Sequence, residues 1–173
     1  MNDFNKKEYP SVREMSDDQR IGIVKDIFAS VTNKYDFLNR FLSGRRDVAW
    51  RKRTVSEMKF FNTNRFLDVA TGTGDLALDC ANAYSNVKVI GVDFVQEMVI
   101  NGLKKVDTQN LEHRVELKWG DATNIDFIDD TFDVTAIAFG IRNIPKKEKA
   151  LSFLKKLKST NSLSDIKTSN KSN

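Results

Sequence analysis

The chain has 173 residues, 40% of them hydrophobic and 30% charged, which suits one domain with a sizeable core and an ordinary soluble globular composition. A formal net charge of +4 is too mild to point to nucleic acid, and no nucleic-acid partner is expected. The single cysteine, Cys80, rules out an intramolecular disulfide framework and fits a reducing compartment. With no run near the roughly 18 apolar residues of a spanning helix and no signal-peptide core, a cytoplasmic location is expected.

Residues 1–18 are polar and read as a flexible lead-in. Ser16 or Asp17 can cap a helix that carries Ile21, Val24, Ile27, Phe28 and Val31 at spacings of three and four. A bulky apolar set follows, Phe37, Leu38, Phe41, Leu42 and Trp50, beside the cations Arg45, Arg46, Arg51, Lys52 and Arg53. Such a segment is a lid over a greasy substrate, a surface for anionic lipid headgroups, or an apolar face packed on a sheet with its cations solvated.

From residue 65 strands and helices alternate. Phe66 to Ala70, apolar apart from Asp68, is a buried strand, and Thr71-Gly72-Thr73-Gly74-Asp75 is a tight turn. A helix follows with Leu76, Ala77, Cys80 and Ala81 on its inner face, which makes Cys80 a core residue and not a nucleophile. Val87 to Val92 is a second strand closed by Asp93, and Gln96 to Val106 a second helix with Met98, Val99, Gly102, Leu103 and Val106 on one side. Val115, Leu117 and Trp119 alternate as a third strand ending at Gly120-Asp121-Ala122. Phe132 to Phe139 is a fourth, ending at Gly140-Ile141-Arg142-Asn143, before a helix over Lys146–Leu157 with Ala150, Phe153, Leu154 and Leu157 inward.

Alternation of this kind implies a parallel sheet with helical crossovers, whose ligands bind outside the carboxyl ends of the strands. Each conspicuous polar or glycine motif falls at such an end, which points to a nucleotide-sized ligand. Gly72, Gly74 and Ala77 also satisfy the dinucleotide pattern G-x-G-x-x-A, with Asp93 where that pattern wants its ribose acid. Asp68 argues the other way, because an acid facing the turn receives the cationic amino group of an amino-acid-bearing ligand and repels a pyrophosphate. Asp93 has two acceptor oxygens for ribose hydroxyls, or it caps the next helix. Asp121, after the third strand, reads by itself as a turn acid.

Together, Y-D-F-L-N-R-F-L-S with Trp50, L-D-V-A-T-G-T-G-D-L, G-V-D-F with Met98, and A-I-A-F-G-I-R-N-I with K-E-K-A-L resemble the ubiquinone/menaquinone biosynthesis C-methyltransferase family from about Val12 to Lys158. The resemblance implies a Rossmann-like S-adenosylmethionine-dependent methyltransferase fold, with S-adenosyl-L-methionine as methyl donor and a polyprenylated quinol methylated at a ring carbon. It puts Asp68, Thr71, Gly72, Thr73 and Gly74 around the methionine part of the cofactor, Asp93 on the ribose, and Met98, Asp121 and Ala122 at the adenine. Tyr35, Asp36, Asn39, Arg142 and Asn143 would line the acceptor side, with Arg142 and Tyr35 as catalytic residues. No metal is expected, since His113 and Cys80 make no ligand set. Peripheral membrane contact and a homodimer are the further partners considered.

The expected organisation is an N-terminal segment (1–18), a methyltransferase domain (19–158) comprising a helical lid (19–62) and a cofactor-binding α/β part (63–158), and a polar tail (159–173). Two departures from the family pattern stand out. Asp47 occupies a position where many members carry His. The tail replaces a Lys-Pro-Gly-Gly turn and the later strands, as in a truncation, which would leave the fourth strand as an apolar edge. An inactive or regulatory paralogue, binding the cofactor weakly or pairing with an intact subunit, is the alternative reading.

Overall fold

A computed structural model describes residues 22, 23, 26, 46–121, 127–138, 140, 141 and 147–159. Among the described residues, helices α1 (Arg46–Glu57), α2 (Asp75–Ala83), α3 (Gln96–Thr108) and α4 (Lys147–Leu157) surround strands β1 (Arg65–Val69), β2 (Lys88–Asp93), β3 (Val115–Trp119) and β4 (Val134–Ile137). The strands form one parallel sheet in the order β3-β2-β1-β4. All four carboxyl ends therefore lie along one edge, as expected. In register, Asp68 pairs with Gly91 on one side and Ala136 on the other, and Asp93 pairs with Trp119.

The core lies on both faces of the sheet. Phe66, Val89, Val115 and Leu117 pack beneath Val55, Leu76, Ala77, Cys80, Val99 and Val106. Leu67, Val69 and Val92 pack with Phe132, Leu154 and Leu157 on the other face. β1 is buried on both faces, which is why its sequence is a continuous apolar run and not an alternating one. Cys80 is fully buried, and that burial pushes its thiol up to about 12, so it is a core residue.

Three strand expectations need correction. Ala70 has left the first strand, with φ at +55°, and opens the turn. The fourth strand is four residues long, not the run from Phe132 to Phe139. Its beginning is lost because Asp133 bends the chain: its carboxylate accepts the backbone N–H groups of Phe61, Asn62, Thr63 and Asn64 at 2.9–3.1 Å. Phe132 then bridges to Lys158 instead. Trp119, expected to alternate inward after Val115 and Leu117, is 61% exposed because it sits at the strand's last position, beyond the helical cover.

β4 lies at one edge of the described sheet, as the sequence suggested. Gly22, Ile23 and Asp26 are helical, within the helix expected over 21–31. Ser159, the first residue of the expected tail, is buried and donates its N–H to the Phe132 carbonyl at 2.7 Å. No helix among the described residues is long and apolar enough to cross a membrane.

Candidate cofactor site at the carboxyl edge of the sheet

The centre of the site is the turn between β1 and α2. Gly72 (φ +60°) and Gly74 (φ +78°) adopt the left-handed conformation that other residues resist. A side chain added at Gly72 would meet nothing within 4 Å, so the turn faces open space where a ligand's bulk can lie. Beneath it, Asp68 is 1% exposed and accepts a 2.6 Å hydrogen bond from the Thr71 hydroxyl. Burial pushes the Asp68 carboxyl up to about 7, against the pull of the Thr71 hydroxyl, and the negative charges of Asp93 and Asp75 add to the rise. A buried acid held so high at a turn facing open space is poised for a cation.

Asp93 is the second acid of the edge. Its Oδ2 accepts the Gly72 N–H at 2.8 Å and its Oδ1 accepts the Val95 N–H at 2.9 Å. Burial raises its carboxyl, while the amides of Val95, Gly72 and Phe94 work in the opposite direction. The bond to Val95 closes a turn just before α3, whose N-cap is Val95 itself, so Asp93 is not the cap of that helix. The bond to Gly72 adds a strut between β2 and the turn. A carboxylate has roughly four acceptor positions, so capacity remains for a diol.

The third strand end joins the same edge. The Gly120 N–H donates to the Asp93 carbonyl at 2.9 Å, and the Trp119 indole N–H to the Phe94 carbonyl at 3.0 Å. Asp121 follows, exposed. The fourth end arrives through Gly140, where any side chain would collide with Ala70 Cβ at the head of the turn. Met98 is 2% exposed in the first turn of α3. The structure thus brings together Asp68, Thr71, Gly72, Thr73, Gly74, Asp93, Met98 and Asp121 at one edge. Tyr35, Asp36, Asn39, Ala122, Arg142 and Asn143 lie outside the described residues.

Sequence reasoning missed the supports behind the turn. Lys105, on α3, donates from Nζ to Thr73 Oγ1 at 2.8 Å and to Asp75 Oδ1 at 2.7 Å. Arg51, grouped by sequence with solvated or lipid-facing cations, pairs with Asp47 at 2.8 Å, Asp79 at 2.9 Å and Asp75 at 3.4 Å. Gly102 lets α3 approach the turn, since a Cβ there would sit 2.5 Å from a Leu117 methyl and 3.1 Å from the Thr73 carbonyl oxygen. Apart from Asp47 and Arg51, four residues apart on α1, the hydrogen-bonded partners lie 28–32 residues apart along the chain, so no local spacing announced them. The i,i+4 pair and the glycine within an apolar helical face were the signals.

A parallel sheet with a glycine turn after β1 and acids closing successive strands defines the Rossmann-like S-adenosylmethionine-dependent methyltransferase fold. A solved S-adenosylmethionine-dependent methyltransferase from Aquifex aeolicus superposes with a TM-score of 0.56 at 25% identity, covering 63% of this chain and 58% of that one. The chain belongs to the ubiE/COQ5 methyltransferase family, whose model matches residues 13–173. Among curated relatives it is similar to the ubiquinone/menaquinone biosynthesis C-methyltransferase UbiE of Geotalea daltonii, 41% identical over 129 residues, which are 74% of this chain and 55% of that protein. It is also similar to the demethylmenaquinone methyltransferase of Bacillus cytotoxicus, 42% identical over 70% of this chain and 52% of that protein. The chain spans about half the length of these relatives.

Proposed function

We propose that the protein is an S-adenosylmethionine-dependent C-methyltransferase acting on a ring carbon of a polyprenylated quinol in menaquinone or ubiquinone biosynthesis. The observation that carries the reading is the buried Asp68 behind the glycine turn, with Asp93 and Asp121 at the next two strand ends. The names of the curated relatives support the quinone class.

The donor set fits the cofactor. Asp68 receives the cationic amino group, and the turn of Thr71, Gly72, Thr73 and Gly74 surrounds the methionine part. Asp93 takes the ribose hydroxyls with its remaining acceptor capacity, while Met98, Asp121 and Ala122 face the adenine. A dinucleotide is disfavoured, because Asp68 would repel a pyrophosphate. When bound, S-adenosylmethionine supplies a methyl group already activated on a positive sulfur.

The protein's own task is then alignment of the acceptor carbon and exclusion of water. Attack from a ring carbon needs electron density from a quinol oxygen that loses its proton, so a cation near that oxygen favours the reaction. We assign this to Arg142, with Tyr35 hydrogen-bonding a quinol oxygen and Asp36, Asn39 and Asn143 lining the acceptor side. The acceptor's prenyl chain belongs in a bilayer, so the reading includes a cytoplasmic protein in peripheral contact with a membrane. The outward residues Arg46, Trp50, Lys52 and Arg53 of α1, all exposed, support that contact.

The test is incubation with methyl-labelled S-adenosylmethionine and a short-chain demethylmenaquinol, followed by mass spectrometry of the product. Label on a ring carbon is expected. Label on oxygen, or transfer only to an unrelated acceptor, would overturn the assignment.

A further inference from the structure

We propose that Lys105 and Arg51 are positioning residues that brace the glycine turn from outside through Asp75, and that this brace ties α1 to the turn's occupancy. The inference rests on the reading of that turn as the cofactor site, and it concerns residues that need not touch any ligand.

Four observations carry it. First, α2 opens at Gly74, which offers no side-chain cap, so its start is held by side chains of other elements, Asp68 toward the Ala77 amide among them. Second, Lys105 grips the turn on both sides of Gly74, through Thr73 Oγ1 at 2.8 Å and Asp75 Oδ1 at 2.7 Å. Third, Asp75 shares its other oxygen with Arg51 at 3.4 Å, and Arg51 is held in turn by Asp79 and by Asp47 of its own helix. Fourth, these side chains are sheltered: 25% exposed for Lys105, 23% for Asp75 and 16% for Arg51. Sheltered charge pairs are screened less than surface ones, and truncating one partner strands the other.

The relay runs from α3 through the first residue of α2 to α1. The Gly72 and Gly74 amides are already held by Asp93 and by the Thr71 carbonyl; a ligand that packs on this turn also limits the motion of Asp75, and so stiffens the contact that docks α1. The same coupling acts in reverse, since a docked α1 leaves less freedom for the ligand to remove. α1 is also the element that begins immediately after the segment assigned to the acceptor side. Occupancy of the turn therefore reports on the element that follows that segment.

The experiment compares the 173-residue chain with Lys105→Met, Lys105→Arg, Arg51→Met and, as control, Lys104→Met, whose ammonium meets Asn101 on the exposed face. Hydrogen exchange is read by mass spectrometry over peptides 70–78 and 46–57, with and without S-adenosylhomocysteine, and affinity by calorimetry. Lys105→Met should speed exchange at the turn and weaken binding roughly tenfold, the size of one charge-assisted hydrogen bond. Lys105→Arg should recover most of both, and Lys104→Met should match wild type. In wild type the ligand should slow exchange in 46–57, and Arg51→Met should abolish that response while turn protection persists. Unchanged turn exchange in Lys105→Met, an arginine variant as damaged as the methionine one, or an α1 response that survives Arg51→Met would overturn the proposal. Turn exchange that responds to Lys105→Met in a chain that binds no S-adenosylhomocysteine would support the brace and overturn the cofactor reading.

Discussion

Replacing Asp68 by Asn separates the demands of folding from those of the site. A buried carboxyl at about 7, against an ordinary 3.8, is a group the folded state disfavours when charged. The sign follows from proton binding: between these values the folded state holds the proton and the unfolded state does not, so stability falls as pH rises. The penalty is absent below about pH 4 and complete above about pH 7, on the order of 4 kcal/mol at pH 8 and roughly 1–2 kcal/mol at pH 5. Asn keeps an acceptor for the Thr71 hydroxyl but buries an amide N–H2, at a cost of roughly 1–3 kcal/mol. That cost is the same at both pH values and cancels in their difference. Urea denaturation should therefore favour the Asn variant over wild type by roughly 2–3 kcal/mol more at pH 8 than at pH 5. The same variant should bind S-adenosylhomocysteine at least tenfold more weakly, having lost its charged acceptor. A variant whose stability relative to wild type is the same at the two pH values would refute the reasoning.

Gly102→Ala should cost about 1–3 kcal/mol by overpacking against Leu117 and the Thr73 carbonyl, read by thermal melting, with cofactor affinity falling as the turn shifts. Asp133→Asn should cost about 2–4 kcal/mol at pH 7, because the loop of residues 61–64 loses its charged acceptor. Burial opposes ionisation of Asp133, yet four backbone N–H groups hold its carboxyl below the ordinary value. Its contribution is thus present above pH 3.8 and lost as pH falls through the folded value, so wild type and variant should converge in acid denaturation. Arg142→Ala should lower turnover roughly 100-fold with cofactor affinity nearly unchanged, and Tyr35→Phe should do less harm, as steady-state kinetics alongside calorimetry would show.

The parallel sheet was legible because β1, buried on both faces, leaves an unbroken apolar run, and because the helices repeat at three and four. The strand ends were legible for a second reason: Gly72, Asp93 and Gly120 serve the backbone geometry of the edge itself, so their positions follow from connectivity. What bends or supports the chain through space was not legible. Asp133 falls inside the expected fourth strand and shows no role of its own until four amides 69–72 residues away converge on it. Arg51 reads as one cation of a basic run until its partners on α2 are seen. Trp119 fits an alternating strand, and only the end of the helical cover exposes it.

The central claim is that the glycine turn and its acids receive the cationic amino-acid part of an adenosyl ligand. Calorimetric titration of the 173-residue chain with S-adenosylhomocysteine and, separately, with NADH tests it most directly. Saturable binding of S-adenosylhomocysteine, weakened by roughly 1.5–3 kcal/mol in Asp93→Ala and undisturbed by NADH, is the expected result. Preferential binding of NADH, or S-adenosylhomocysteine binding indifferent to both Asp68→Asn and Asp93→Ala, would contradict it.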